Sequence, residues 1–318
     1  MAVIDCHMHV DFNGYSLKRI INYLDINKID RCWLLTWEET NPGPWSYKPL
    51  PIETVYEAFL EYPTRIIPFY APDPHRSDAA LSLENWNKKG IRGCGELKAT
   101  INWNSSDMIP IFQMLRKYQM PLLFHMEESE YRDIRYSYAF DNRLFHLELD
   151  DSKKIYRVPR RVLQILINNF TPLKIRNKSY YFPGYMLDFA SLENTLRENP
   201  DICLVAHGPM FWIYMSGDVI DSSNLLPKGP VRHEGIIWRL LRQYPNLRAD
   251  ISGASGLNAL TRDPENAKRF LSMFENKILF GSDNVIKGRR EFLDSLRLSK
   301  STYQKVYGEN ASNLLAIK

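Results

Sequence analysis

Six residues of this chain could hold a divalent cation, and each stands at or just beyond the end of an apolar run: His7, His9, Glu96, His125, His207 and Asp283. The first two belong to the stretch Asp5-Cys6-His7-Met8-His9. Side chains of a strand alternate between its faces, so both imidazoles point to one side and Met8 to the other. Two imidazoles spaced in this way reach a single ion, and a borderline-soft cation such as zinc suits them. The other four residues close four further runs, and the set performs chemistry only if the fold gathers its members in one place.

The elements that would gather them are visible as period. Runs rich in β-branched and aromatic residues occupy 3–10, 31–37, 65–71, 91–97, 121–126, 202–207, 247–252 and 277–282, and stretches of helical spacing follow them. That alternation is the mark of an α/β chain. Their starts lie mostly about 26 to 34 residues apart, and eight such units close a (β/α)8 TIM barrel, in which all strand ends share one mouth. An open doubly wound sheet is the alternative. The helices show apolar faces at Leu17, Ile20, Ile21 and Leu24, at Val55, Phe59 and Leu60, and at Ile236, Ile237, Leu240 and Leu241. Pro63, Pro200 and Pro245 stop helices before strands. Two wider gaps, about 128–187 and about 208–232, follow the fifth and sixth strands and so open onto the mouth. The first is dense in Tyr and Arg, with an amphipathic helix at 161–170. It is expected to be a lid within a single domain spanning 1–318, because about 60 residues make a marginal core of their own.

The stretches Ile4-Asp5-Cys6-His7-Met8-His9, Leu123-Phe124-His125, Val205-Ala206-His207-Gly208 and Leu279-Phe280-Gly281-Ser282-Asp283 resemble the strand-end motifs of the amidohydrolase superfamily. The branch is the amidohydrolase 2, or aminocarboxymuconate-semialdehyde-decarboxylase-like, family. The tail from Tyr307-Gly308-Glu309-Asn310-Ala311 to Leu314-Leu315 is similar to the helix that ends many members. The resemblance implies that His7, His9, His125 and Asp283 ligate one divalent ion, taken to be zinc. Asp283 would serve as base as well as ligand, while His207 stands beside the water or substrate oxygen and polarises the carbonyl or shuttles the proton. Chemistry agrees with those roles, since zinc brings the pKa of a bound water from 15.7 towards about 7.

Glu96 has two readings: a metal ligand, since Gly95-Glu96-Leu97 resembles the bridging glutamate of TatD-type and phosphotriesterase-like binuclear members, or a partner of Lys98, which lies two residues on and on the same face and could pair with it or form a substrate-carboxylate site. Lys98 and Trp37 are taken as substrate-binding, and Asp250 as the acceptor that holds His7 or His9 in the correct tautomer. Ser252 is an inward candidate beside Asp250, Asp5 is placed inward below His7 in a structural part, and Arg232 with His233 could bind an anion.

Composition narrows the partners. A formal net charge of +4 spread along 318 residues lacks the basic block that nucleic acid demands. Residues 1–7 have neither the basic start nor the apolar core of a secretory signal, and no window approaches 18 uncharged apolar residues, so a cytoplasmic, non-membrane protein is expected. Cys6, Cys32, Cys94 and Cys203 form no CxxC pair and are expected free and buried. A small-molecule substrate is the expected partner, with self-association into a homo-oligomer left open. Hydrolysis of an amide, lactone or ester in a small polar or anionic molecule leads. Decarboxylation or hydration of a carboxylate is the alternative, and a binding protein without turnover the third reading.

Overall fold

The computed structural model describes residues 2–39, 49–133, 179–219, 224–284 and 287–315. One strand lies within each of the eight apolar runs. They are β1 (Ile4–Met8), β2 (Arg31–Leu34), β3 (Ile66–Pro68), β4 (Cys94–Leu97) and β5 (Leu122–His125), then, after a ribbon β6 (Glu130–Asp133) and β7 (Ser179–Phe182), β8 (Leu204–His207), β9 (Leu247–Asp250) and β10 (Ile278–Leu279). Parallel pairing runs β1-β2-β3 and β4-β5-β8-β9-β10. Two seams close the circuit. Cys6 donates its N–H to the Phe280 carbonyl at 2.9 Å, and Tyr70 donates to Gly93 at 3.1 Å where Phe69 bridges Gly93 in parallel. The eight strands therefore form a TIM barrel.

Helices follow the strands as the periodicity requires: α1 (Leu17–Ile26), α2 (Ile52–Glu61), α3 (Ala79–Lys88), α4 (Met108–Tyr118), α5 (Phe189–Glu198), α6 (Pro209–Ile213), α7 (Ile236–Gln243), α8 (Gly253–Thr261), α9 (Pro264–Met273) and α10 (Arg289–Ser295). The α1 helix starts at Ser16, whose side chain accepts from the Arg19 N–H, and buries Ile20 and Leu24 against the barrel. On α7, Ile237, Leu240 and Leu241 are buried. Leu60, counted with the apolar face of α2, is instead 59% exposed, because Ile52, Val55 and Ala58 make that helix's contact.

A small inner core fills the barrel below the mouth: Ile4 and Cys6, Trp33 and Leu35, Ile67 and Phe69, then Leu123, Val205 and Leu279. Trp33 and Phe69 stack at 4.5 Å. Ala311 and Leu315 near the end of the chain join this cluster. Burial of such side chains contributes roughly 1.5–3 kcal/mol each. All four cysteines are free, with Cys203 only half-buried.

Strict alternation fails in β1. Ile4 and Cys6 belong to the inner core, whereas Met8 and Val10 belong to the larger core between barrel and helices. The pairing with β2 shifts between Asp5 and Met8, and this irregularity lets His7 and His9 reach the mouth although Cys6 already faces inward. Asp5, placed inward by simple parity, accepts from the Tyr23 hydroxyl of α1 at 3.0 Å and from the N–H groups of His7 and Ser282. Its part is structural, on the other side of the strand.

One compact unit comprises residues 1–40, 49–128 and 184–318, and a second comprises 41–48 and 129–183. Within the second, β6 and β7 pair antiparallel with Glu130 opposite Phe182. The helix expected at 161–170, and with it most of the expected lid, lies outside the described residues. No helix among them is long and apolar enough to cross a membrane.

Gly208, directly after His207, has φ +103°, and a Cβ there would stand 2.5 Å from the Met126 carbonyl oxygen. Gly208→Ala is therefore expected to destabilise the fold by roughly 2–4 kcal/mol, as backbone strain and overpacking together do. Urea unfolding followed by tryptophan fluorescence measures it.

Candidate metal centre

His7 and His9 come from the irregular end of β1, Glu96 from β4, His125 and His207 from the last positions of β5 and β8, and Asp283 from the loop after β10. The Nε2 atoms of His7 and His9 stand 3.0 Å apart. Glu96 Oε2 lies 3.4 Å and 3.2 Å from them, and Asp283 Oδ1 3.7 Å and 3.4 Å. The far rings are fixed by acceptors. His7 Nδ1 is 2.9 Å from Asp250 Oδ2, and His9 Nδ1 is 3.0 Å from the Leu35 carbonyl oxygen. Carboxylates and carbonyls only accept, so both Nδ1 atoms carry hydrogen and, in the neutral rings, both Nε2 atoms present lone pairs.

Four electron-rich atoms thus face one small volume. Glu96 Oε2 is buried and receives no well-formed hydrogen bond, although the Lys98 ammonium stands 2.9 Å away. Ligands about 2.0–2.1 Å from a tetrahedral ion are separated by roughly 3.4 Å, so the observed distances fit a divalent cation of that kind. Electrostatics points the same way. Burial alone would lower the His7 pKa, but Asp250, Glu96 and Asp283 raise it well above the ordinary imidazole value. Against the burial that would raise them, Lys98 and His7 hold Glu96 well below the usual carboxylate range, and His7 with His9 and His207 brings Asp283 to about 2. The space calls for positive charge, which a proton or a metal ion can supply.

His125, the fourth of the expected ligands, meets two carboxylates. His125 Nδ1 lies 2.8 Å from the other oxygen of Glu96, Oε1, and its Nε2 lies 3.2 Å from Glu127 Oε2. His207 Nε2 is 3.8 Å from both Glu96 Oε1 and Asp283 Oδ2. Glu96 therefore stands between two sets, His7 with His9 on one oxygen and His125 with His207 on the other. Burial would lower the His125 pKa, yet its two carboxylate neighbours raise it. For His207 burial and the charge of His7 outweigh Asp250, and the pKa falls. Its Nδ1 faces Asp250 Oδ1 at 3.1 Å and Ser252 Oγ at 3.0 Å, which leaves a lone pair on Nε2.

Around this centre, Lys98 lies 3.8 Å above the Trp37 ring, and both Trp37 and Phe12 meet His9 edge to face. Asp250 holds His7 and His207 together, and the same two imidazoles keep its carboxyl far below the ordinary range despite burial. Ser252 lies beyond β9 and joins Asp250 to His207. The sequence reading missed Glu127, which the alternation His125 to Glu127 could have offered, and Phe12, which has no such signal. His233 is exposed and pairs with Asp218 at 2.6 Å.

The model of the family described as Amidohydrolase matches residues 51–317. No curated protein matches the sequence. Among solved structures, an uncharacterised TIM-barrel protein of Bordetella bronchiseptica aligns with TM-score 0.59 at 12% identity, covering 100% of this chain and 99% of that one. The 5-carboxyvanillate decarboxylase of Sphingomonas paucimobilis aligns with TM-score 0.53 at 14% identity, over 100% and 99% of the two chains. A zinc-bound amidohydrolase of Burkholderia multivorans aligns with TM-score 0.53 at 10% identity and covers 100% of both. At these identities the likeness is one of fold.

Proposed function

This chain belongs to the amidohydrolase family, and on that premise we propose that it is a divalent-metal hydrolase of a small polar or anionic amide, lactone or ester. The carrying observation is the convergence of His7 Nε2, His9 Nε2, Glu96 Oε2 and Asp283 Oδ1, with both Nδ1 atoms committed elsewhere. His7, His9 and Asp283 hold the ion, which we take to be zinc, and Glu96 completes the set. His125, expected among the ligands, acts through Glu96, or with His207 and Glu96 Oε1 offers the ligands of a second ion. When bound, the ion supplies a Lewis acid that acidifies water and polarises a carbonyl.

The protein's own groups do the rest. Asp283 has a side chain 22% exposed, whereas those of His7, His9 and Glu96 are sealed. It is thus the carboxylate that reaches the substrate side, placed to take a proton from the attacking water. The lone pair of His207 Nε2, 3.8 Å from Asp283 Oδ2, suits proton shuttling better than polarising a carbonyl. His207→Asn should keep the metal and lose turnover about 10²-fold, the scale of a positioned acid or base. Equal loss of metal, read by elemental analysis, would instead make His207 a ligand.

A decarboxylase reading draws on a separate observation. The Lys98 ammonium, beside Glu96 and over Trp37, is placed to hold a substrate carboxylate next to the centre. One experiment separates the two. Metal-loaded protein is screened against lactones, aryl esters and aromatic carboxylates, with titrated acid and released carbon dioxide measured together. Acid release without carbon dioxide supports hydrolysis, carbon dioxide without net water consumption supports the lyase, and absence of bound metal after growth with added zinc removes both.

A further inference from the structure

Arg289, the first residue of α10, is only 2% exposed, an unusual place for a guanidinium. Its Nη1 donates to the Ile251 carbonyl and its Nη2 to the Gly253 carbonyl at 2.6 Å. Those carbonyls flank Ser252. The Ser252 N–H donates to Asp250 Oδ1 at 2.8 Å, its hydroxyl donates to the same oxygen, and Ser252 Oγ lies 3.0 Å from His207 Nδ1. On the other side of the turn, Gly253 has φ +68°, and a Cβ there would stand 3.0 Å from Asp283 Oδ2 and 3.2 Å from His207 Cε1. Arg289 itself follows Asp283 by six positions on the same connection. One side chain therefore ties the connection carrying Asp283 to the turn that sets His207.

We propose that Arg289 is a positioning residue, whose two-pronged grip on the carbonyls either side of Ser252 fixes the separation of Asp283 and His207. This rests on the roles given to those two residues above. The requirement is for a fork rather than a charge. A lysine ammonium is a point donor, and it cannot hold two carbonyls on opposite sides of one residue in fixed relation. Displacement of a catalytic pair by about 1 Å costs on the order of 10²-fold in rate.

The test uses full-length zinc-loaded protein and p-nitrophenyl acetate as probe. Arg289→Lys should keep its metal and leave KM within about twofold, while kcat falls about 10- to 100-fold. Ser252→Ala should lose kcat likewise, and the double variant should lose little more than the worse single, since both act along one chain of contacts. If Arg289→Lys fails to fold, Gly253→Ala carries the test, because a methyl group there presses on Asp283 and His207 directly. A readout independent of turnover is the downfield proton resonance of the His207 ring, assigned by its loss in His207→Asn, which should shift in Arg289→Lys and in Gly253→Ala. Wild-type kcat in these variants, losses that multiply in the double variant, or an unmoved resonance would each overturn the inference. Wild-type kcat in Asp283→Asn and His207→Asn would overturn the reading of the site itself.

Discussion

His9→Ala should leave the protein folded yet unable to retain its ion, with metal-dependent turnover reduced by about 10³-fold or more. Disturbing only the groups that orient ligands costs about 10- to 100-fold in metal affinity, and deleting a ligand from a rigid strand end costs more. His9 is fully buried, fixed by the Leu35 carbonyl on one side and packed edge to face against Trp37 on the other. Zinc content after dialysis and circular dichroism at 222 nm together check the prediction. Full zinc occupancy in folded His9→Ala would place the ion elsewhere, with His125 and His207 as its first candidates.

What the sequence revealed of this arrangement follows from which forces are local. Strand existence is local, because apolar runs of this length and spacing have few other ways to bury themselves, and each of the eight runs holds a strand. The neighbourhood of Glu96 and Lys98 was also legible, as residues two apart share a face, and they do form an ion pair at 2.9 Å. The irregularity in β1 was not, since a shift of pairing depends on β2 as much as on β1. Parity therefore misplaced Asp5. The division of Glu96 between two histidine sets needs the closed barrel, because it depends on the distance from β4 to both β1 and β5. Arg289 gave no signal at all. An arginine opening a short helix reads as solvated, and only the packing of that helix against the turn at Ser252 buries it.

Zinc should stabilise the protein more at pH 8 than at pH 6, a direction set by His7. Its pKa is raised in the metal-free fold, with Asp250, Glu96 and Asp283 overcoming the effect of burial. In that form the protonated ring contributes stability that is fully present below the unfolded value near 6.5 and is lost as pH rises through the raised folded value. Metal binding has the opposite dependence. Nε2 must lose its proton to become a ligand, so below the folded pKa the affinity falls about tenfold for each unit of acidification, or roughly 1.4 kcal/mol. With zinc at about 1,000 times its dissociation constant at pH 8, stabilisation amounts to roughly 4 kcal/mol, and it shrinks as pH falls below the raised folded value. Paired melting curves with zinc and with a chelator should therefore diverge by about 8–16 °C at pH 8 and draw together by pH 6, as each kcal/mol moves the midpoint of a chain this size by roughly 2–4 °C. A gap that widens towards acid would mean that the ion is held by groups other than the histidines, and a gap independent of pH would mean that His7 is not among its ligands.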